Sequence, residues 1–199
     1  MKKSMKSAYI LAGIALLIGI GLFYQFGTEK GVPPVEQGEI MEEQTLTLSS
    51  PAFKEGESIP SQYTCDGENV SPPLTISGVP EEATSLVLVM DDPDVPKALK
   101  PDGVFDHWVM YGIPPDTREI PEGSLSGTAG LNGAGEAKYA GPCPPSQYEP
   151  REHRYFFKLY ALKGTVNFIK APTKSEVLSA IQDDIIAEAG LMGRYKRAR

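Results

Sequence analysis

Lysines at positions 2, 3 and 6 precede a run from Ala8 to Phe26 that carries no charge, with Gln25 its only strongly polar side chain. As a helix this run would reach roughly 28 Å, close to the hydrocarbon thickness of a bilayer. The pattern predicts a cytoplasmic basic segment over 1–7 and one transmembrane helix, a signal anchor, over 8–26. The flanking lysines orient the rest of the chain outside the cytoplasm, held at the cytoplasmic membrane. The alternative is a cleaved signal peptide and a secreted domain, but Leu22-Phe23-Tyr24-Gln25-Phe26 offers no small-x-small cleavage site. Residues 27–44 combine Gly, Pro33-Pro34 and five Glu with few apolar side chains, and read as a linker.

From Thr45 the pattern changes to strand-length apolar runs broken by Pro, Gly and Asp. Thr45-Leu46-Thr47-Leu48 alternates, and Phe105–Ile113 and Arg154–Leu162 alternate with aromatics. Ser85–Met90 is continuously apolar after Ser85, the signature of a strand buried on both faces. One helix is expected near the C-terminus. Pro172 precedes Thr173 as N-cap, and Glu176 completes a capping box. Leu178, Ile181 and Ile185 then share a face, and Gly190 ends the helix. The domain is predicted to span 45–199 as a mainly β, antiparallel body, which 20 Gly and 18 Pro in 199 residues support.

Charge narrows the function. Lys and Arg number 19 against 26 Asp and Glu, a net of −7, and four of the lysines fall in the first 30 residues. The remaining acidic body would repel a phosphate backbone, so no nucleic-acid partner is expected. Candidate chemistry gathers in the Pro-rich stretches. Asp92-Pro93-Asp94-Val95-Pro96 follows the buried strand and fixes a rigid Asp92 at its mouth. The only histidines, His107 and His153, each stand at a strand beginning, followed by Trp108 and by Arg154-Tyr155. Between them Tyr139–Pro145 forms a stiff loop around Pro142-Cys143-Pro144-Pro145. No Gly-x-Ser-x-Gly elbow accompanies Ser124 or Ser126, and no HExxH or CxxC spacing is present. The chain is therefore read as non-enzymatic, with no metal and no cofactor.

Taken in order, YTCDGENVSPPL (63–74), LVLVMDDPDVP (86–96), FDHWVMYGIPPDT (105–117), YAGPCPP (139–145) and HRYFFKLYAL (153–162) resemble the phosphatidylethanolamine-binding protein family, in its bacterial and archaeal Raf kinase inhibitor-like branch. The resemblance covers about residues 45–197. It implies a large antiparallel sheet packed on a smaller one in a β-sandwich, with a C-terminal helix beside a pocket mouth. It also implies ligand-binding residues: Asp92 and Pro96 from the DPDxP element, Phe105 and His107, Pro144 and Pro145 as wall, and His153 with Tyr155 from the HRY element.

Such a site would receive a small anion or a phospholipid head group, with imidazole N–H donors facing the anion and Asp92 orienting one ring. A second reading is a protein-binding regulator, a serine protease or kinase inhibitor acting through the pocket rim. This chain departs from the family at Thr75-Ile76, where a Trp usually follows SPPL, and at the charged rim Ser146–Glu152. Two further readings stay open. Cys65 and Cys143 either form a bridge or are buried small apolar residues. Arg194, Lys196, Arg197 and Arg199 form either a solvated tail or a patch drawn to anionic lipid.

Overall fold

The computed structural model describes residues 45–198, all within one unit. Strands β1 (Thr47–Ser49), β2 (Leu74–Ser77) and β5 (Glu119–Ile120) form a small sheet in the order β1-β2-β5. Strands β6 (Thr128–Ala129), β4 (Phe105–Ile113), β3 (Ser85–Asp92), β7 (Glu152–Leu162) and β8 (Ile185–Lys196) form the large sheet in the order β6-β4-β3-β7-β8. Every pairing within both sheets is antiparallel. One α-helix, α1 (Lys174–Ile181), is present among the described residues.

The period-two rule sorts the side chains into two cores. Leu86, Leu88 and Met90 of β3, with Trp108, Met110, Tyr155, Phe157 and Leu159, meet Leu48, Leu74, Ile76 and Ile120 of the small sheet. On the other face Val87, Val89, Val109, Tyr111, Tyr160 and Leu162 pack against Val177 and Ile181 of α1. β3 lies between these layers, and all eight of its residues are buried, so its alternation is invisible in the sequence. Truncating one of its large side chains, such as Leu88→Ala, would cost about 2–5 kcal/mol. At the place after SPPL where a Trp was expected, Thr75 faces outward while Ile76 lies in the core.

Three expectations are corrected. The fold was expected to be preceded by a transmembrane helix over 8–26. Among the described residues no helix is long and apolar enough to cross a membrane, and positions 1–44, linker included, lie outside them. The fold of the described residues is the mainly β domain with its short helix.

The helix itself begins as predicted, with the Thr173–Glu176 capping box formed, but it stops at Ile181 rather than Gly190. Residues 185–196 are β8 instead, because every residue of β7 finds a partner there. Ala187, Ala189, Leu191 and Tyr195 thereby reach the main core, and tertiary pairing outweighs the helical spacing of Leu178, Ile181 and Ile185. Arg194 and Lys196 consequently belong to a strand, not a tail.

Candidate functional site

The candidate site forms where β3 ends and β4 and β7 begin, on the face turned toward the small sheet. Alternation along β7 puts His153 and Tyr155 on the same face as Phe157. His107 reaches that face by another route. Met90 pairs with Trp108 and Asp91 with Asp106, so His107 is the extra residue of a β-bulge. The bulge turns Asp106 to the helix side, where it pairs with Lys174, and leaves His107 beside Tyr155.

The site is a carboxylate between two imidazoles. Asp92, His107, His153 and Tyr155 are 3%, 5%, 1% and 0% exposed. His153 Nδ1–H donates to Asp92 Oδ2 at 2.6 Å, while His107 Nε2 stands 4.0 Å from the same oxygen. His107 Nδ1 lies 2.6 Å from the Ala140 carbonyl oxygen, which can only accept. The ring proton of neutral His107 is thereby fixed on Nδ1, and Nε2 carries the lone pair. The Asp92 Oδ1 atom accepts the Asp94 N–H at 2.8 Å. Asp94 is in turn clamped by the Arg154 backbone N–H, Nε and Nη2 at 2.9, 2.9 and 2.7 Å.

The aromatic rings pack around these groups. Phe105 meets the His107 ring edge-on at 4.8 Å, Tyr155 meets it at 5.2 Å, and Tyr155 stacks near His153 at 6.5 Å. Two polar atoms in this cluster, His153 Nε2 and the Tyr155 hydroxyl, are buried without a hydrogen-bond partner. Burial of an unsatisfied polar atom costs roughly 1–3 kcal/mol, so these two atoms are where an added hydrogen-bond partner would gain most.

The two histidines are tuned in opposite directions. Burial pushes the His107 pKa below its ordinary value, against the Ala140 carbonyl and the Asp92 charge. Burial also acts downward on His153, but its hydrogen bond to Asp92 and the charge of that carboxylate prevail, and its pKa is raised. Burial, then the Asp92 charge, push the Tyr155 hydroxyl far up, so it stays a neutral donor.

The structure therefore brings Asp92, Phe105, His107, His153 and Tyr155 together. Pro144 is buried and Pro145 half-buried in the loop running on from Ala140, and Pro96 is half-buried in the turn beyond Asp92. No hydrogen bond joins these three prolines to the imidazoles. Sequence reasoning missed Ala140, whose carbonyl holds His107, since a main-chain acceptor has no residue signature. It also missed Asn69, whose Oδ1 accepts the Gly141 N–H at 2.7 Å, and the Asp94–Arg154 clamp, although DPD and HRY contain both residues.

Cys65 and Cys143 settle as a disulfide, with Cα atoms 5.4 Å apart. Together with the Cys65 N–H bonded to the Pro142 carbonyl, it ties the Pro-rich loop to the 63–69 segment.

Comparison with known proteins agrees with this fold. The profile of the family described as phosphatidylethanolamine-binding protein matches residues 49–196. A UPF0098 protein of Chlamydia trachomatis is 43% identical, the match covering 76% of this chain and 99% of the relative. Another, from the archaeon Methanothermobacter thermautotrophicus, is also 43% identical, with the same coverage of 76% and 99%. Among solved structures, a putative phosphatidylethanolamine-binding protein homolog from Chlamydia trachomatis superposes with a TM-score of 0.74 at 42% identity, covering 78% of this chain and 99% of its own. Escherichia coli YbcL, described as a new member of the mammalian PEBP family, gives a TM-score of 0.68 at 27% identity, covering 77% and 99%. The chain belongs to the phosphatidylethanolamine-binding protein family, in its bacterial and archaeal branch.

Proposed function

We propose that the domain binds a small phosphate-like anion, free or as a phospholipid head group, between His107, His153 and Tyr155, and does no chemistry on it. The observation that carries this reading is the pair of buried, unpartnered atoms, His153 Nε2 and Tyr155 Oη, beside a carboxylate that orients one imidazole. With Nδ1–H committed to Asp92, a protonated His153 presents Nε2–H as a donor, and Tyr155 presents its O–H. His107 Nε2 becomes a third donor when it takes up a proton. An anion entering such a buried, water-poor site gains charge-assisted hydrogen bonds. The Cys65–Cys143 bridge supports work in an oxidising compartment.

Calorimetric titration of the full chain with inorganic phosphate and with phosphoethanolamine, at about pH 6 and pH 8, tests the reading. Binding is expected to be tighter at the lower pH and to take up protons, since a bound anion raises the imidazole pKa values. His107→Ala and His153→Ala should each weaken it by about 1.5–3 kcal/mol, the range for a hydrogen bond to a charged group. Asp92→Ala should cost less, because losing the orienting carboxylate also removes its repulsion of the anion. Equal affinities in all four proteins at both pH values would remove the anion site, and turnover of a phosphate ester would remove the non-enzymatic assignment.

A further inference from the structure

Two acids stand back to back with the imidazole site. Alternation along β3 sends Asp92 to the imidazoles and Asp91 to the opposite face, and the bulge in β4 does the same with His107 and Asp106. Asp91 and Asp106 are partners in the register, so two carboxylates face each other across the β3–β4 pair where the bulge begins. Like charges in directly opposed positions push strands apart. Lys174 answers both: its Nζ donates to Asp91 Oδ2 at 3.2 Å and pairs with Asp106 Oδ1. Lys158 also reaches Asp91 Oδ2, at 3.0 Å, but Asp106 has no ion pair besides Lys174 among the described residues.

The place of Lys174 is not one its own helix would choose. It is the first residue of α1, where the aligned peptide dipoles disfavour a cation. Tertiary contacts put it there. The Thr173–Glu176 capping box and the Leu131 N–H, bonded to the Pro172 carbonyl at 2.7 Å, fix the helix start. Only 15% of the Lys174 side chain is exposed, against 43% for Lys158, so its charge is the less screened by water. Burial acts downward on the ammonium, but the hydrogen bond to Asp106 and the charges of both acids prevail, so its pKa is raised and the cation persists.

We propose that Lys174 is a positioning residue for the anion site: by neutralising Asp91 and Asp106 it keeps the β4 bulge closed, and the bulge holds His107 beside Asp92 and Tyr155. The consequence for binding rests on the imidazole reading above, whereas the placement of His107 does not. Without the cation, Asp106 turns from Asp91 toward water, and His107, the next residue, turns with it. Its ring then leaves the Asp92 carboxylate, 4.0 Å from Nε2, and loses its edge contacts with Phe105 and Tyr155.

The chain has two histidines, so proton NMR of the full chain can follow each imidazole, assigned with His107→Gln and His153→Gln. At about pH 8, where His107 is neutral, its ring protons report its place, because the ring currents of Phe105 and Tyr155 at 4.8 and 5.2 Å set their shifts. Lys174→Met is expected to move the His107 signals and to weaken binding of inorganic phosphate by about threefold to tenfold, within the range for groups coupled through one network. Lys174→Arg should restore both. Lys158→Met, which removes a cation from the same face without touching Asp106, should change neither. Lys174→Met combined with Asp106→Asn leaves no second acid opposite Asp91 and should return the His107 signals; it also serves if Lys174→Met alone fails to fold. Unmoved His107 signals in Lys174→Met, equal movement in Lys158→Met, or no recovery in the double variant overturns the proposal. The two readings fail separately. An unaltered protein that binds no phosphate removes the anion site, while the His107 signals still decide the role of Lys174. A displaced His107 ring with unchanged phosphate affinity upholds the positioning and removes His107 from the anion contacts.

Discussion

Asp92 holds the site together by serving both rings with one oxygen, accepting from His153 at 2.6 Å while facing His107 Nε2 at 4.0 Å. The opposite tuning of the two imidazoles has a definite sign in stability. His107 has a pKa depressed below its ordinary 6.5, so the unfolded chain binds more protons there as pH falls below that value. Its effect is a loss of stability on the acid side. His153 has a pKa raised above 6.5, so its contribution is complete below that value and fades as pH rises through the folded-state pKa. The two together place their combined optimum near the ordinary imidazole pKa. Urea unfolding between about pH 5 and pH 8 should show that His107→Gln flattens only the acid limb and His153→Gln only the alkaline limb. Two variants with the slopes of the unaltered protein would refute the tuning. Asp92 and both histidines were legible in the sequence from Pro punctuation and strand position; which ring Asp92 orients was not, since that depends on how the strands and the Ala140 loop place the two rings.

At the level of elements, β3 was legible because a run such as Leu86–Met90 has no other home than a strand covered on both faces. The start of α1 was equally plain from its capping box, but its end was hidden, because helical spacing persists across Ile185 and only the partner strand decides. The bulge at His107 was invisible for the same reason: it exists in the register between two strands and in neither alone. The loop that fixes His107 makes a further prediction. A Cβ at Gly141 would lie 2.5 Å from both Asn69 Oδ1 and the Tyr63 carbonyl oxygen. Gly141→Ala should therefore destabilise the domain by about 1–3 kcal/mol and weaken phosphate binding by displacing the Ala140 carbonyl from His107. Gly190→Ala is the control, its nearest neighbour being the Phe157 carbonyl oxygen at 3.7 Å. Thermal melts and phosphate titration of both variants decide the matter, and equal behaviour would show the loop to be compliant.

Over the whole molecule, the Cys65–Cys143 bridge spans 78 residues and encloses β2 through β6 in one covalent loop. Closing a loop of that length removes unfolded-chain entropy worth about 4.5 kcal/mol in the chain-entropy account, less where the unfolded state keeps structure. Cys65→Ala with Cys143→Ala should lower stability by roughly 2–4 kcal/mol, read from urea midpoints, and an unchanged midpoint would show that the bridge constrains nothing. The sheet order carries another consequence. β3 is complete at residue 92, yet its second neighbour β7 begins only at residue 152, and α1, which covers its outer face, follows at 174. At a synthesis rate of about 5–20 residues per second, β7 leaves the ribosome roughly 3–12 s after β3. Through that interval Leu86–Met90 has one bare edge and an uncovered face, the combination most open to pairing with a foreign strand. The strand that is most deeply enclosed in the finished domain is thus the one with the longest wait for shelter during its own birth.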